Sequence, residues 1–249
     1  MPMTDMVKHL LIINIIFFVG SFLVPEATEI LALHYFESDK FRLWQPITHM
    51  FMHGGLMHIF FNMFALVSFG SALEHFWGGK KFLFFYFSCG IGAALVHSAV
   101  NYYGFHQGLD FLVSEGINKS EIVSLLAQEK FDTRWQEMMN PSDFNQMIQS
   151  YIGKAVGASG AIYGLLVAFA FLFPNAELAL MFIPIPIKAK YFVPAWILLF
   201  DVFFGIFGKY FGFGNSGFAH FAHLGGALFG FIMMWYWKRN QFDNNRWDR

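Results

Sequence analysis

"KAVGASGAIYGLLVAFAFLF" occupies residues 154–173 and places a single serine, Ser159, between small residues at the start of an apolar run. About 15 residues separate Ser159 from Pro174, which is expected to end the helix, so the helix measures about 22 Å at 1.5 Å per residue. The hydrocarbon core of a bilayer is about 30 Å thick. If Pro174 marks one membrane surface, Ser159 lies below the other surface. The preceding "GKAVGA" segment must then enter the membrane as a non-helical, re-entrant loop surrounded by protein or water.

The composition predicts a membrane protein. Apolar residues make up 56% of the chain and charged residues 13%, whereas soluble domains carry roughly 25% charged side chains. The formal net charge of −1 provides no basic field for nucleic acid. Cys89 is the single cysteine, which excludes an internal disulfide and a cysteine-based metal cage. We expect neither a metal nor another cofactor.

Six apolar segments have about the length needed to cross a bilayer. They are Val7–Pro25, His58–Phe76, Phe82–Tyr102, Ser159–Phe173, Tyr191–Gly208 and Phe218–Trp237. The first shows no small-x-small cleavage motif and is expected to be retained. Basic residues concentrate in connections on the side of the two termini, so the positive-inside rule makes that side cytoplasmic. We therefore expect an integral, multi-pass protein of a bacterial inner membrane with both termini in the cytoplasm.

Residues 1–249 are expected to form a single membrane domain, interrupted by a polar insertion at about residues 103–153 between the third and fourth spans. The stretch "SEIVSLLAQEKFDTRWQEMM" within it repeats apolar residues at helical spacing. One or two short amphipathic helices on the outer surface are predicted there.

A serine needs a base before it can act as a nucleophile. The sixth span supplies His223 in "FAHFAHLGGALFG", and it is followed by a small-xxx-small pair, Gly226 and Gly230. The pair Gly160 and Gly164 follows Ser159 in the same way. Glycine-lined faces let two membrane helices approach closely. The pattern therefore predicts that the fourth and sixth helices bring the Ser159 hydroxyl to the His223 imidazole. The alternatives are a capping serine and an incidental histidine.

The second span carries two polar groups in "HGGLMHIFFNMF". His58 and Asn62 are four residues apart and therefore project from one helical face. Such a pair can donate hydrogen bonds to a developing negative oxygen in a water-excluded site.

These three segments, "HGGLMHIFFNMF", "GASGAIYG" and "AHLGGALFG", in this order on the second, fourth and sixth spans, resemble the rhomboid family of intramembrane serine proteases. The resemblance covers about residues 41–237. It implies an all-α bundle of six transmembrane helices that cleaves transmembrane segments of other membrane proteins within membrane lipid. The implied entry route for the substrate is lateral, between the second and fifth spans.

By this resemblance Ser159 is the nucleophile and His223 the general base of a catalytic dyad without an acidic third member. His58, Asn62 and the backbone N–H of Ser159 are assigned to the oxyanion hole, and Gly157 supports the active site. Tyr163 is expected to stack on the His223 ring. Glu74 is assigned a structural hydrogen-bonding role at the inner end of the second span.

One departure concerns the first loop, where many rhomboids carry a Trp-Arg pair and this chain has Trp44-Gln45. That substitution affects the packing of the first loop rather than the chemistry.

Two other functions are open. The first is a rhomboid-like protein that binds membrane clients without cutting them, but such proteins generally lack the serine or the histidine. The second is a metal transporter built on clustered histidines, with His49, His53, His58, His220 and His223 as candidate ligands. Few carboxylates are available in the spans to support such ligands. Asp201 in the fifth span is expected to hydrogen-bond a neighbouring span rather than to bind an ion.

Overall fold

The structure is a computed structural model that describes residues 2–180, 183–207 and 217–244. Its helices are, in chain order, α1 (Asp5–Leu23), α2 (Ala27–Leu31), α3 (Gln45–Thr48), α4 (Leu56–Ala65), α5 (Ser71–Trp77), α6 (Gly79–Ser114), α7 (Lys119–Ala127), α8 (Arg134–Met138), α9 (Pro141–Ile152), α10 (Ser159–Leu172), α11 (Ala189–Trp196) and α12 (Gly217–Asn244). A 3₁₀ turn, His49–Phe51, follows α3, and π-helical segments occupy Leu66–Gly70 and Ile197–Phe207. The first π segment joins α4 to α5, and the second continues α11.

Three helical stretches within the described residues are long and apolar enough to cross a membrane. They are Asp5–Leu23, Leu56–Trp77 and Gly79–Ser114, and α10 is a shorter apolar helix. The prediction of a helical membrane protein is therefore confirmed. The predicted fifth span begins in α11 and continues through the π segment, and its predicted end at Gly208 lies outside the described residues.

Helix α6 extends well beyond the predicted third span. The predicted polar insertion starts at about residue 103, but the helix continues to Ser114. Its 36 residues make it about 54 Å long at 1.5 Å per residue, which exceeds the thickness of the hydrocarbon core. The last turns of α6 therefore belong to the insertion.

The insertion has a hydrophobic core of its own, whereas the sequence indicated only one or two surface helices. Helices α7, α8 and α9 pack against the end of α6 and bury Trp135, which is 1% exposed. Gly104 and Gly108 allow this packing, since a Cβ at Gly108 would lie 2.6 Å from the Met147 Cβ. Helix α9 ends at Ile152, directly before the segment that leads to Ser159.

A β-hairpin departs from the predicted all-α fold. Strands β1 (Glu177–Leu180) and β2 (Ile183–Lys188) pair antiparallel between α10 and α11. The second strand reads "IPIPIK", in which alternate prolines prevent a helix and alternate isoleucines favour an extended strand. This period of two was visible in the sequence.

Glu74 has the structural role that was expected of it. Its carboxylate accepts hydrogen bonds from the Thr4 hydroxyl at 2.5 Å and from the backbone N–H groups of Met6 and Val7 at 3.0 and 2.9 Å. The two backbone N–H groups are otherwise unpaired donors in the first turn of α1. Glu74 therefore ties the start of α1 to the end of α5.

The first loop is organised by Gln45, the residue of the Trp44-Gln45 pair that departs from the Trp-Arg pattern. Its fully buried side-chain amide donates to the carbonyls of Ile30 and Lys40 at 3.2 and 2.9 Å. A nearby ion pair joins Glu29 to Lys154, and the Lys154 ammonium lowers the pKa of the Glu29 carboxyl. The first loop is thereby connected to the segment that precedes Ser159.

Candidate active site

The segment before α10 runs without helical structure from Gly153 to Ala158. Leu33 and Ala155 exchange two backbone hydrogen bonds of 2.9 Å, and the Gly157 N–H donates to the His49 carbonyl at 2.9 Å. Gly157 has φ of +122°, a conformation that residues with a Cβ rarely adopt. This glycine turns the chain into α10, so that Ser159 is the first residue of the helix.

Helices α10 and α12 are in backbone contact along the glycines that the sequence singled out. A Cβ on Gly226 would lie 1.8 Å from the Gly160 carbonyl oxygen, and one on Gly230 would lie 2.8 Å from the Gly164 Cα. The opposite side of α10 faces α6, where a Cβ on Gly160 would lie 2.4 Å from the Ala93 Cβ. Helix α10 is therefore held between α6 and α12.

This close packing brings Ser159 and His223 together. The His223 Nε2 lies 2.9 Å from the Ser159 Oγ. The Tyr163 ring, one turn after the serine, stacks on the imidazole with ring centroids 4.3 Å apart and planes inclined by 10°. The Tyr163 hydroxyl accepts a hydrogen bond from the Trp196 Nε1–H at 3.2 Å, which connects α10 to α11.

Asp201 also contacts His223, although sequence reasoning assigned it no part in the site. Its carboxylate Oδ1 accepts hydrogen bonds from Nδ1 of His220 and Nδ1 of His223, both at 2.8 Å. The Asp201 side chain is 1% exposed, whereas those of the two histidines are about one-fifth exposed. The signal in the sequence was an acidic residue in an apolar span, a placement that is usually functional.

His58 and Asn62 both lie on α4, four residues apart, and His58 is close to the serine. A Cβ on Gly157 would be 2.8 Å from the His58 Nε2 and 3.7 Å from the Ser159 Oγ, so both groups border the same glycine. The His58 Nδ1 accepts from the Gly54 N–H at 3.3 Å, which leaves the ring proton on Nε2. Asn62 is buried, and its amide donates to the His58 carbonyl at 2.9 Å.

Metal-ligating groups converge at one place within the described residues. Asp201, His220 and His223 offer ligand atoms that all lie within 4.8 Å of one another. The larger cluster of five histidines considered in the sequence does not form there. His53 instead packs edge-on against His58, with ring centroids 5.1 Å apart.

The fold and this geometry define a helical membrane protein with a serine and a histidine paired at the start of a short helix. The family model described as "Rhomboid domain" matches residues 40–114 and 121–240. The chain therefore belongs to the rhomboid family.

Two curated relatives illustrate the similarity. "Rhomboid protein 1, mitochondrial" of Saccharomyces cerevisiae is 29% identical over 152 residues, which cover 59% of this chain and 40% of that protein. The human "Presenilin-associated rhomboid-like protein, mitochondrial" is 34% identical over 140 residues, which cover 53% of this chain and 33% of that protein. The matched region thus spans well under half the length of these relatives.

The predicted localisation, a bacterial inner membrane with both termini in the cytoplasm, is wrong. The matching relatives are mitochondrial rhomboid proteins of eukaryotes, and a bacterial origin is not supported. The basic residues distinguish the two sides of a membrane and carry no information about the organism.

Proposed function

We propose that this protein is an intramembrane serine endopeptidase that cleaves transmembrane segments of membrane-protein substrates. The observation that carries the proposal is the 2.9 Å contact between the His223 Nε2 and the Ser159 Oγ at the N-terminus of α10. A nucleophile and a base within hydrogen-bonding distance form the minimal unit of covalent acyl transfer. The chemistry uses neither a metal nor another cofactor.

The first half of the reaction forms an acyl-enzyme. His223 takes the proton from the Ser159 hydroxyl as the oxygen attacks the carbonyl carbon of the scissile peptide bond. The tetrahedral intermediate then collapses, the C–N bond breaks, and the leaving amine receives the proton from His223. In the second half a water molecule, deprotonated by His223, hydrolyses the ester to regenerate Ser159.

The negative oxygen of the intermediate is assigned to a pocket around Gly157. The Nε2–H of His58, the amide of Asn62 and the backbone N–H of Ser159 are the proposed donors. The Ser159 N–H is one of the unpaired donors at the start of α10, where the helix dipole also favours negative charge. Gly157 keeps this pocket open, because a side chain there would meet the His58 ring.

The proposed membrane arrangement has six spans within one domain of residues 1–249. Three of the spans are the helical stretches that are long and apolar enough to cross. The other three proposed spans are α10, α11 with its π segment, and α12. Helix α10 has 14 residues, about 21 Å, so the Gly153–Ala158 segment is proposed to be the re-entrant loop that completes the crossing. The proposed lateral entry for the substrate helix lies between the second and fifth spans.

A hydrolysis experiment tests the proposed reaction. Purified protein in proteoliposomes is incubated in ¹⁸O-labelled water with a single-span reporter whose helix contains small, helix-destabilising residues. We expect two fragments, with one ¹⁸O atom in the new carboxylate, because water resolves the acyl-enzyme. An intact reporter that binds the protein without being cut would instead indicate the client-binding alternative.

Asn62→Ala is expected to lower kcat by about 10- to 10³-fold and to leave KM within about threefold. A donor aimed at the oxyanion acts mainly in the transition state, so its loss appears in the turnover rate. Reporter cleavage at several substrate concentrations measures both constants. Asn101→Ala is the matched control, since Asn101 is a buried amide on α6 that pairs with His97. A rise in KM alone for Asn62→Ala would show that Asn62 is a packing residue.

A further inference from the structure

Asp201 is a buried carboxylate for which the proposed serine–histidine chemistry provides no role. It lies in the π-helical segment Ile197–Phe207, and π-helical turns are uncommon and occur frequently at functional sites. An ionisable side chain in the interior of a membrane protein is costly and is usually retained for function. One of its two hydrogen bonds goes directly to His223, the base that contacts Ser159.

The hydrogen bonds fix the position of the proton on His223. A carboxylate oxygen can only accept, so the imidazole nitrogen that contacts Asp201, Nδ1, carries the hydrogen. The Nε2 of His223 therefore presents its lone pair to the Ser159 hydroxyl, which lies 2.9 Å away. This is the tautomer that a general base requires.

We propose that Asp201 is a positioning residue that holds His223 in the reactive tautomer and stabilises the imidazolium that forms during proton transfer. The proposal rests on the proposed function of Ser159 and His223. It extends the serine–histidine dyad to a chain of three groups, in which the carboxylate acts through the base and does not touch the substrate.

His220 keeps the carboxylate in place. It lies three residues before His223 on α12, and its Nδ1–H donates to the same Oδ1 of Asp201 at 2.8 Å. The two imidazole rings are perpendicular, with centroids 6.1 Å apart, so they approach the oxygen from different directions. Loss of His220 leaves the Asp201–His223 bond in place and is expected to have a smaller effect than loss of the carboxylate.

The negative charge of Asp201 has its largest effect on the reaction in the transition state. The imidazolium that forms on proton transfer lies 2.8 Å from Asp201 Oδ1, and the carboxylate side chain is 1% exposed. Water screens such a pair weakly, so the attraction favours the charged state over the neutral ground state. Removal of the charge should therefore lower kcat with little change in KM. In trypsin the corresponding aspartate-to-asparagine change lowers kcat by about 10⁴-fold.

The test compares two carboxylate-to-amide substitutions in the same membrane domain, Asp201→Asn and Glu74→Gln. Glu74 is also buried, but it binds backbone N–H groups at the start of α1 and not the histidines. Reporter cleavage and thermal unfolding are measured on the monodisperse folded fraction of each variant, with Ser159→Ala alongside. If Asp201→Asn gives no folded fraction, Asp201→Ser, whose hydroxyl still accepts a hydrogen bond, replaces it under the same criteria.

The expected result is a fall in kcat of about 10- to 10⁴-fold for Asp201→Asn with KM within about threefold, while Glu74→Gln lowers the unfolding temperature and keeps kcat within about threefold. The kcat of His220→Gln should lie between the kcat values of Asp201→Asn and Glu74→Gln. An Asp201→Asn enzyme with wild-type kcat would overturn the positioning role, provided that Ser159→Ala is inactive; an active Ser159→Ala enzyme would overturn the proposed function itself. Activity that EDTA removes and Zn²⁺ restores would make the three residues a metal site and would also overturn the proposal.

Discussion

Ser159→Ala is expected to reduce reporter cleavage by at least about 10³-fold while the protein inserts and folds normally. The substitution removes the attacking oxygen and leaves the packing of α10 unchanged, since Ser159 is only half buried and its side chain bonds one group among the described residues, the His223 imidazole. Removal of a catalytic serine in subtilisin lowers kcat by about 2 × 10⁶-fold. Reporter cleavage is measured in proteoliposomes over several days, so that a residual rate this low can be detected.

Ser71→Ala is the matched control, because Ser71 is a buried serine on α5 that lies outside the proposed site. It should retain the wild-type rate to within about threefold. His223→Ala should match Ser159→Ala, and the exposed His75 provides the corresponding histidine control. Cleavage by purified Ser159→Ala above a trace of the wild-type rate would remove Ser159 from the mechanism.

Gly226→Ala is the second change with a large expected effect. The new Cβ would lie 1.8 Å from the Gly160 carbonyl oxygen, far inside contact distance, so α10 and α12 must separate. Ser159 and His223 sit on these two helices, and a displacement of about 1 Å in a catalytic site can reduce the rate by about 10²-fold. We therefore expect a fall of at least that size in reporter cleavage, together with a lower unfolding temperature.

Gly20→Ala provides the control for this substitution. Gly20 is in the membrane helix α1, and a Cβ there would meet nothing within 4 Å. Both substitutions add one methyl group to a membrane helix, and they differ in the space available to it. If Gly226→Ala cleaved the reporter as fast as Gly20→Ala, the helix contact would not determine the geometry of the site.

The relation between α10 and α12 could be predicted from the sequence because it depends on local patterns. Gly160, Gly164, Gly226 and Gly230 recur at the spacing of one helical face, and each pair begins within a few residues of Ser159 or His223. Two helices that pack through such faces have little freedom in their relative position. His58 and Asn62 are four residues apart, so their spacing also predicted a shared helical face.

The sequence predicted that Asp201 bonds a neighbouring span, but its partners His220 and His223 could not be predicted, because they depend on the rotation of one helix relative to another. The π-helical segment shifts the face on which Asp201 lies, and hydrophobic periodicity gives no sign of such a shift. The extension of α6 to Ser114 was missed because Gly104, Gly108 and Asp110 interrupt the apolar pattern of its last turns, which the core of the insertion stabilises. Secondary structure that depends on distant packing is poorly specified by a local sequence window.

The pairing of Ser159 with His223 is tested most directly by covalent labelling. Purified protein is treated with a serine-directed phosphonate and with an isocoumarin reagent, with and without EDTA, and the adduct is located by mass spectrometry of the digested protein. An activated hydroxyl beside a base attacks such electrophiles, whereas a capping serine does not. We expect one adduct on Ser159 that is absent from His223→Ala and indifferent to EDTA. No adduct on Ser159 with either reagent, or equal labelling in His223→Ala, would contradict the account.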